Sequence, residues 1–261
     1  MSTEHESVTL RRLSEGLVLV TLNRPAAMNA VNAELANALE AVVAEVEADE
    51  EVRAAVITGA GEKAFSAGAD LKEVAAGKLG GTFTAAGGFA GFVNAPRKKL
   101  WVAAVNGLAL AGGFEIVLAC DLIVASSEAR FGLPEVTRGL IASAGGLYRL
   151  PRALPRAVAT ELIVTGSLLD AERAYALGLI NRVVPAGQAV TEAIALSHSI
   201  CANAPLAVLE SLAIARAASG FDDPELREAG DTAQTRLAQT SDYREGSQAF
   251  VEKRKPSWTA R

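Results

Sequence analysis

Histidine is scarce in this chain, whose 261 residues include only His5 and His198. Neither has a companion at the spacing of zinc ligands, and two histidines leave little basis for Ser–His or Cys–His catalysis. The sequence therefore predicts no metal site and assigns any proton transfer to carboxylates.

Cysteine is equally scarce. Cys120 and Cys201 lie far apart in the sequence, each in an apolar setting. We expect two buried free thiols in a reducing compartment. The segment MSTEHESVTLRRL has neither the apolar core nor the small-residue cleavage site of a secretory signal, so the expected location is the cytoplasm.

Long apolar runs and an excess of positive charge are also missing. The most apolar stretch, Ile116–Ala125, is interrupted by Asp121, which favours a buried helix-to-strand passage over a membrane span. The net charge of −5 provides no overall basic field for nucleic acid or anionic lipid. We therefore expect neither nucleic acid nor a membrane as a partner.

Hydrophobic residues are abundant: they make up 50% of the chain, which is enough for a large buried core. The β-prone runs Val8–Leu13 and Leu17–Leu22, joined at Ser14-Glu15-Gly16, predict a hairpin. Apolar residues at helical spacing predict a helix over Asn32–Ala48.

Strand and helix patterns alternate over about two-thirds of the chain, and helical patterns follow almost throughout. We therefore predict an α/β fold, with residues 1–195 as the core and residues 196–261 as a helical region. The glycine-rich segment Gly77–Gly91 is poorly periodic and predicts a mobile loop. The predicted later strands are Val52–Thr58, Leu100–Val105, Leu122–Ser126 and Ile180–Val184.

One glycine motif suggests a nucleotide site, but only weakly. Gly59–Ala64 follows a strand and fits the outline G-x-G-x-x-A of a dinucleotide fingerprint. Such a turn should open directly into a long helix, whereas here another turn follows at Phe65–Asp70. A nucleotide role is therefore the less favoured interpretation.

Two other turns are rich in small residues, Ser66–Leu71 and Asn106–Glu115. Small residues let a ligand approach the backbone, and free N–H groups at a helix start favour developing negative charge. Two such groups converging on one carbonyl oxygen would form an oxyanion hole. The alternative for each turn taken alone is tight packing.

Two glutamates are candidates for acid/base chemistry. Glu115 lies in an otherwise apolar helical segment, where a carboxylate is unfavourable unless it faces a polar cleft or is paired. Glu135 follows Phe131–Pro134, where a loop can present its side chain. Glu115 could instead form a buried ion pair or lie on an outward face, so the acid/base assignment depends on the two residues together.

Three segments, Ala64–Leu71, Asn106–Asp121 and Phe131–Gly146, together resemble the signature regions of the crotonase (enoyl-CoA hydratase/isomerase) superfamily. The resemblance extends from Leu22–Pro25 to Phe250–Arg254, nearly the whole chain. The carboxy-terminal half and Gly87–Gly91 are also similar to carnitinyl-CoA dehydratases within that superfamily.

The resemblance implies a spiral of ββα units followed by a helical trimerisation region, which forms homotrimers or dimers of trimers. It implies that the N–H groups of Ala69 and Gly112 hold a thioester oxygen. It also places Glu115 and Glu135 at the positions of the catalytic glutamates of true hydratases. The backbone segment expected to receive the CoA adenine contains Ala67, Ala69, Asp70 and Leu71.

The chain departs from the family pattern at two places. Relatives often carry a phosphate-binding lysine after the Asn-Arg-Pro turn, where this chain has Ala26, so the resemblance leaves Arg24 or Lys253 for the CoA phosphate. Leu133 and Ala142-Ser143 differ from the mitochondrial-type hydratase beside Glu135. These changes leave open an acyl group other than a simple straight chain, and the choice depends on a pocket expected to be formed by the Gly77–Gly91 loop and the helical tail.

The function implied is that of an enoyl-CoA hydratase, which adds water reversibly and with syn geometry across the C2–C3 double bond of a 2-enoyl-CoA. No metal or redox cofactor is needed, because CoA arrives as part of the substrate. The alternatives are a carnitinyl-CoA-type dehydratase, an enoyl-CoA isomerase or a C–C bond hydrolase or lyase. A non-catalytic CoA-ester-binding relative is less favoured, because both glutamates are present.

Overall fold

The structure is a computed structural model that describes the backbone of residues 2–14 and 16–261 and, within those ranges, side chains from residue 6 onward. The chain forms two compact units, Met1–Ser197 and His198–Arg261. The expected division lay between residues 195 and 196.

Strands are confined to the first unit in the described part of the chain. They are β1 Ser2–His5, β2 Val8–Ser14, β3 Leu17–Leu22, β4 Ala54–Gly59, β5 Ala64–Ser66, β6 Phe83–Thr84, β7 Gly88–Phe89, β8 Leu100–Val105, β9 Leu108–Leu110, β10 Leu122–Ser126, β11 Arg130–Gly132, β12 Leu169–Asp170 and β13 Arg182–Val184.

Helices are spread along the whole chain. They are α1 Ala33–Ala48, α2 Leu71–Ala75, α3 Gly112–Leu118, α4 Gly146–Ala153, α5 Arg156–Thr165, α6 Ala171–Ala176, α7 Ala189–Cys201, α8 Pro205–Ala217, α9 Asp223–Leu237 and α10 Ser241–Glu252. Short 3₁₀ turns cover Pro25–Ala27, Leu79–Thr82 and Pro134–Arg138.

The main sheet has seven strands in the order β1-β2-β3-β4-β8-β10-β13. Its first three strands are antiparallel, which confirms the predicted hairpin, although Glu15 of the predicted turn lies outside the described residues. From β3 to β13 the strands run parallel. Strands β4 and β8 are buried along their whole length, as expected for parallel strands covered on both faces.

A second sheet of four short strands, in the order β12-β11-β9-β5, receives one strand from each turn of the chain. The repeats β4-β5-α2, β8-β9-α3 and β10-β11-α4 each give a long strand to the main sheet and a short strand to the second sheet. This arrangement confirms the predicted α/β spiral of ββα units. It also places the ends of β5, β9 and β11 side by side.

Helix α1 forms where the sequence predicts it. The Asn32 side chain caps its first turn by accepting a hydrogen bond of 2.9 Å from the Leu35 backbone N–H. One face, made of the side chains Leu35, Leu39, Val42, Val43 and Val46, is buried in the core.

The segment Gly77–Gly91 is more regular than the predicted loop. It contains the 3₁₀ turn Leu79–Thr82 and the antiparallel pair β6 and β7. The Gly87 N–H donates to Glu40 Oε1 of α1 at 3.0 Å, which fastens the segment to that helix. The predicted loop therefore contains short regular elements, and its mobility stays a prediction.

The second unit consists of helices in which α8 packs against α9. Buried Asp242 accepts hydrogen bonds from the backbone N–H groups of Thr259 at 2.7 Å and Ala260 at 3.0 Å, so it holds the C-terminal residues against α10. A trimerisation role for this unit stays a prediction.

Both cysteines are free thiols, but they are half-buried rather than buried as predicted. In the described residues no single helix has both the length and the apolar character to cross a bilayer, and only the broken pair α7 and α8 meets those criteria when the two are taken together.

Candidate active site

The two small-residue turns predicted from the sequence lie against each other. A Cβ atom on Gly68 would lie 2.9 Å from the backbone nitrogen of Gly112. One on Gly113 would lie 2.1 Å from the carbonyl oxygen of Ser66. No side chain fits between the two backbones, so glycine is required at both positions.

A short segment, residues 28–31, fixes the conformation of the first turn. It lies beside residues 66–70 and exchanges backbone and side-chain hydrogen bonds with them. These bonds fix the orientation of the Ala69 N–H. The bonds run from Ala67 N to Met28 O at 3.0 Å, from Val31 N to Gly68 O at 2.8 Å, from Asp70 N to Val31 O at 2.8 Å and from Ser66 Oγ to Asn29 O at 2.8 Å.

The second turn ends in a strained residue. Ala111 has φ 51° and ψ −129°, a left-handed conformation that is unfavourable for a residue with a side chain. Its carbonyl accepts hydrogen bonds from the N–H groups of Phe114 and Glu115, which starts α3. Gly112 is the first residue of that helix, where an N–H group has no intrahelical acceptor and is available to a ligand.

Both turns open into one cavity of about 330 Å³. Ala69 and Gly112 line it, and so do the side chains of Glu115 and Glu135. The structure therefore brings together the four residues predicted to be catalytic. The rest of the wall is mainly apolar and includes Ala67, Leu71, Val74, Leu79, Phe83, Phe89, Leu110, Leu140 and Ile141.

Glu115 is the more deeply buried of the two carboxyls, with 3% of its surface exposed. Its Oε1 accepts a hydrogen bond of 2.8 Å from the backbone N–H of Gly146, the first residue of α4. Burial raises the pKa of Glu115 to about 7, with a smaller rise from the charge of Glu135, while the Gly146 hydrogen bond opposes the change. This carboxyl therefore titrates near neutral pH.

Glu135 is presented by the 3₁₀ turn Pro134–Arg138 and is half-buried. Its Oε2 atom is buried and receives no hydrogen bond from the described residues. Burial raises the pKa of this carboxyl as well, while a hydrogen bond from its own backbone N–H and, to a smaller extent, the charge of Arg138 oppose the rise. A buried carboxylate oxygen without a donor is available to a substrate proton.

An aromatic pair closes the cavity beside Gly112. A Cβ atom on Gly112 would lie 2.4 Å from the ring of Phe89, so this ring covers the start of α3. Phe89 is 3% exposed and packs edge-on against Phe83, with 5.4 Å between ring centroids. The position next to Gly112 is thus shielded from water.

The residues predicted to bind CoA are distributed differently. Ala67 and Leu71 line the cavity, and Leu71 is 58% exposed, as suits a surface that receives a ligand. The Arg24 guanidinium binds the Asp70 carboxylate, with both terminal nitrogens 3.2 Å from Oδ2. Lys253 belongs to the second unit, where it ends α10 in a left-handed conformation.

Asp70 also has a local role, because its side chain accepts a hydrogen bond of 3.0 Å from Lys72 N and so caps α2. In this structure Arg24 and Asp70 satisfy each other. Contact of either residue with CoA stays a prediction.

Three features of the site were not predicted from the sequence: the Gly146 N–H on Glu115, the ring of Phe89 over Gly112, and Arg138 in the cavity wall. The signals were present but indirect. Gly145-Gly146 lies at the end of one of the segments that resemble the family, Phe89 lies in the Gly77–Gly91 segment predicted to form the acyl pocket, and Arg138 follows Glu135 by three residues. Among the described residues no group of three or more His, Cys, Asp or Glu side chains could hold a metal ion.

Comparison with known proteins places this site in context. The family model described as enoyl-CoA hydratase/isomerase matches residues 12–261. Carnitinyl-CoA dehydratase of Proteus mirabilis (strain HI4320) is 39% identical over 261 residues, covering 98% of this chain and 100% of the relative. The protein of the same name from Salmonella enteritidis PT4 (strain P125109) is 40% identical over 262 residues, covering 98% and 99%.

Solved structures give the same picture. Enoyl-CoA hydratase from Mycobacterium tuberculosis H37Rv superimposes with a TM-score of 0.93 at 40% identity, covering 98% of this chain and all of that one. Carnitinyl-CoA hydratase from Mycobacterium avium superimposes with a TM-score of 0.76 at 44% identity, covering 99% of this chain and all of that one. The similarity spans essentially the full length in every case.

Proposed function

The chain belongs to the enoyl-CoA hydratase/isomerase family, and we propose that it is an enoyl-CoA hydratase that adds water reversibly across the C2–C3 double bond of a 2-enoyl-CoA. Membership confirms the resemblance predicted from the three sequence segments and makes the protein a hydro-lyase type of enzyme. The syn geometry and the acyl group are parts of the proposal.

One observation supports the proposal most strongly: two backbone N–H groups and two glutamates share a single, mostly apolar cavity. Hydration of a conjugated thioester needs a group that stabilises charge on the thioester oxygen. It also needs one group to activate water and one to protonate C2. An isomerase, which only moves the double bond, needs no group to activate water. The presence of two carboxyls therefore favours hydration.

The thioester oxygen accepts hydrogen bonds from Ala69 N and Gly112 N in this mechanism. As water adds at C3, negative charge develops on C2 and spreads onto the thioester oxygen. Fixed donors stabilise that charge without reorganising during the reaction. Removing one such donor typically costs about 3 kcal/mol of transition-state stabilisation, or about a hundredfold in rate.

Each of the two carboxyls transfers one proton in each turnover. In hydration, ionised Glu115 takes a proton from water as the oxygen bonds to C3, and protonated Glu135 gives its proton to C2. In dehydration, Glu135 takes the C2 proton, the C3–O bond breaks, and Glu115 protonates the departing hydroxyl to form water. A hydration therefore leaves Glu115 protonated and Glu135 ionised, and loss of one proton from Glu115 with uptake of one by Glu135, through solvent, restores the starting state for the next turnover.

The second candidate is a carnitinyl-CoA-type dehydratase, which the names of the 39–40% identical relatives favour. The same two glutamates would serve it. Its acyl group carries a quaternary ammonium, which the Phe83 and Phe89 rings would attract. Arg138 adds a positive charge to the same wall, where the two glutamates can offset it, so the charges of the lining do not separate the two candidates.

The decisive experiment follows the loss of conjugated thioester absorbance when the protein is added to crotonyl-CoA. Native protein is compared with Glu115→Gln and Glu135→Gln, and Glu128→Gln, an exposed residue outside the cavity, is the matched control. We expect turnover by the native and control proteins and losses of at least about a hundredfold in both site variants.

The same assay with the dehydration product of carnitinyl-CoA separates the two candidates. Faster turnover of crotonyl-CoA supports the hydratase, and a clear preference for the ammonium-bearing substrate supports the dehydratase. Movement of a double bond without uptake of solvent oxygen at C3 would identify an isomerase. Tight binding of CoA esters with no conversion of any of them would identify a non-catalytic relative.

A further inference from the structure

Arg138 lies one turn of a 3₁₀ helix after Glu135. Both residues lie on the 3₁₀ turn Pro134–Arg138, and a 3₁₀ helix has three residues per turn, so side chains three positions apart stand one above the other. Both also line the cavity. The two side chains therefore project from the same face of the turn, with Arg138 exposed and Glu135 half-buried.

The two side chains nevertheless do not bind each other. No ion pair between them forms in the described part of the chain, and Glu135 Oε2 has no hydrogen-bond donor there. Arg138 thus leaves the carboxylate oxygen free for a substrate proton. Its charge opposes the rise in the pKa of Glu135 that burial causes.

The other charged groups around the pair do not take over this role. Glu115 lines the same cavity, and the charge of Glu135 adds to the raised pKa of Glu115. Arg149 of α4 acts on Glu115, and Arg138 is the charged side chain that opposes the raised pKa of Glu135. The helix packed against the turn, α5, carries Arg156 and Glu161, both exposed and of opposite sign.

Burial also favours ionisation of Glu135 over ionisation of Glu115. Glu115 is almost completely enclosed, which favours its neutral form, whereas Glu135 is half-buried beside a cation. We propose that Arg138 is a positioning residue that keeps Glu135 ionised as the acceptor of the C2 proton while Glu115 holds the proton shared by the pair. This inference rests on the proposed hydratase chemistry, in which the singly protonated pair is the active form.

The proposal fixes the sign of a pH effect. Activity rises on the acidic side as the doubly protonated pair loses its first proton, which comes mainly from Glu135. Removing the positive charge makes that loss harder, so the acidic limb of kcat/KM moves to higher pH. Because hydration and dehydration use the two proton arrangements of the same singly protonated pair, both directions shift together.

The test is the pH profile of kcat/KM for crotonyl-CoA with native protein, Arg138→Leu and Arg138→Lys. Arg173→Leu, which removes the same charge from an exposed position on α6 outside the cavity, is the control. We expect the acidic limb of Arg138→Leu to move up by about half a unit to one unit, and the Lys variant and the control to keep the native profile. An unmoved limb in Arg138→Leu, or an equal shift in Arg138→Lys, overturns the proposal.

A second measurement separates this inference from the proposed function. The Glu135 carboxyl is titrated by carbon-13 NMR in protein with labelled glutamate, and its signal is assigned with Glu135→Gln. A higher pKa of Glu135 in Arg138→Leu than in native protein supports the role of Arg138 even if no tested CoA ester is converted. An unchanged pKa refutes that role even if the protein proves to be a hydratase.

Discussion

At the scale of single residues, Glu115 shows how burial sets chemistry. The side chain lies in an apolar helix and is 3% exposed, and one backbone N–H binds its Oε1. Taking the charge out of water raises the pKa of this carboxyl to about 7. A group that titrates there can both hold and release a proton at neutral pH, which is what reversible hydration needs.

The same burial predicts that Glu115→Gln stabilises the fold at pH 8. The pKa of Glu115 rises from 4.5 to about 7 on folding, so between these pH values the unfolded chain ionises and the folded chain does not. The resulting loss of stability is absent below about pH 4.5 and complete above about pH 7, where it amounts to about 3 kcal/mol. Denaturant unfolding of native protein and Glu115→Gln at pH 4.5 and pH 8 measures the difference in the free energy of unfolding. A gain in stability of the same size at both pH values would contradict the explanation.

Gly112 gives a second prediction at this scale, through its backbone. In Gly112→Ala the new Cβ would lie 2.4 Å from the Phe89 ring, so either the ring or the start of α3 has to move. We expect kcat to fall by about a hundredfold with little change in circular dichroism, because one oxyanion donor loses its position. Steady-state kinetics on crotonyl-CoA measures this. A variant with native kcat would show that this N–H is not a donor.

At the scale of elements, the turn of residues 66–70 owes its form to residues 28–31. The Ser66 hydroxyl is fully buried, donates to Asn29 O at 2.8 Å and accepts from Gly68 N at 3.2 Å. These bonds orient the next residues of the turn, including the Ala69 N–H. The fold thus positions the Ala69 N–H, a proposed oxyanion donor, through a neighbouring loop.

Ser66→Ala should therefore lower both stability and activity. Leaving buried groups without partners costs about 1 to 3 kcal/mol, and a displaced turn should reduce kcat/KM by about tenfold. The matched control is Ser126→Ala, which removes another fully buried hydroxyl, one that accepts from Glu128 N at 3.1 Å outside the cavity. Equal losses of activity in both variants, measured with the absorbance assay, would assign the effect to general destabilisation.

Elements with local signals were predicted well from the sequence. The β2–β3 hairpin follows from two β-prone runs around a glycine turn, and α1 follows from its apolar spacing and the Asn32 cap. The segment Gly77–Gly91 was not, because its short turns depend on partners far along the chain. Glu40 of α1, for example, binds Gly87, 47 residues later.

In the candidate site, too, some features have a local signal in the sequence and others do not. The two glutamates stand out in the sequence because a carboxylate in an apolar helix and one after a proline need explanation. The Gly146 N–H that binds Glu115 is 31 residues away, and Asp70, which occupies the Arg24 guanidinium, is 46 residues away. Such pairings are set by the packing of distant turns, and no local pattern reports them.

At the scale of the whole molecule, the second unit leaves apolar side chains exposed. Phe250 and Val251, neighbours on α10, are 86% and 79% exposed. Large adjacent apolar groups at a surface often mark a contact with another protein. The predicted homotrimer, or dimer of trimers, supplies such a contact between copies of this chain.

Light scattering after gel filtration tests the assembly. We expect native protein at three or six times the chain mass of 27.0 kDa, and Phe250→Asp at a smaller mass. Ser247→Asp, which places the same charge at another exposed position of α10, should keep the native mass. A monomeric native protein would refute the prediction, and an assembled Phe250→Asp would exclude Phe250 from the interface.

The ring of Phe89 over Gly112 also bears on how this enzyme can change over generations. A side chain at position 112 collides with the ring, which is itself pinned by Phe83. Substitutions at positions 89 and 112 are therefore expected to be epistatic: a methyl group at 112 should cost less once the Phe89 ring has been replaced by a smaller side chain. One van der Waals contact thus couples the evolution of two positions that lie 23 residues apart in the sequence and favours the order in which Phe89 changes first.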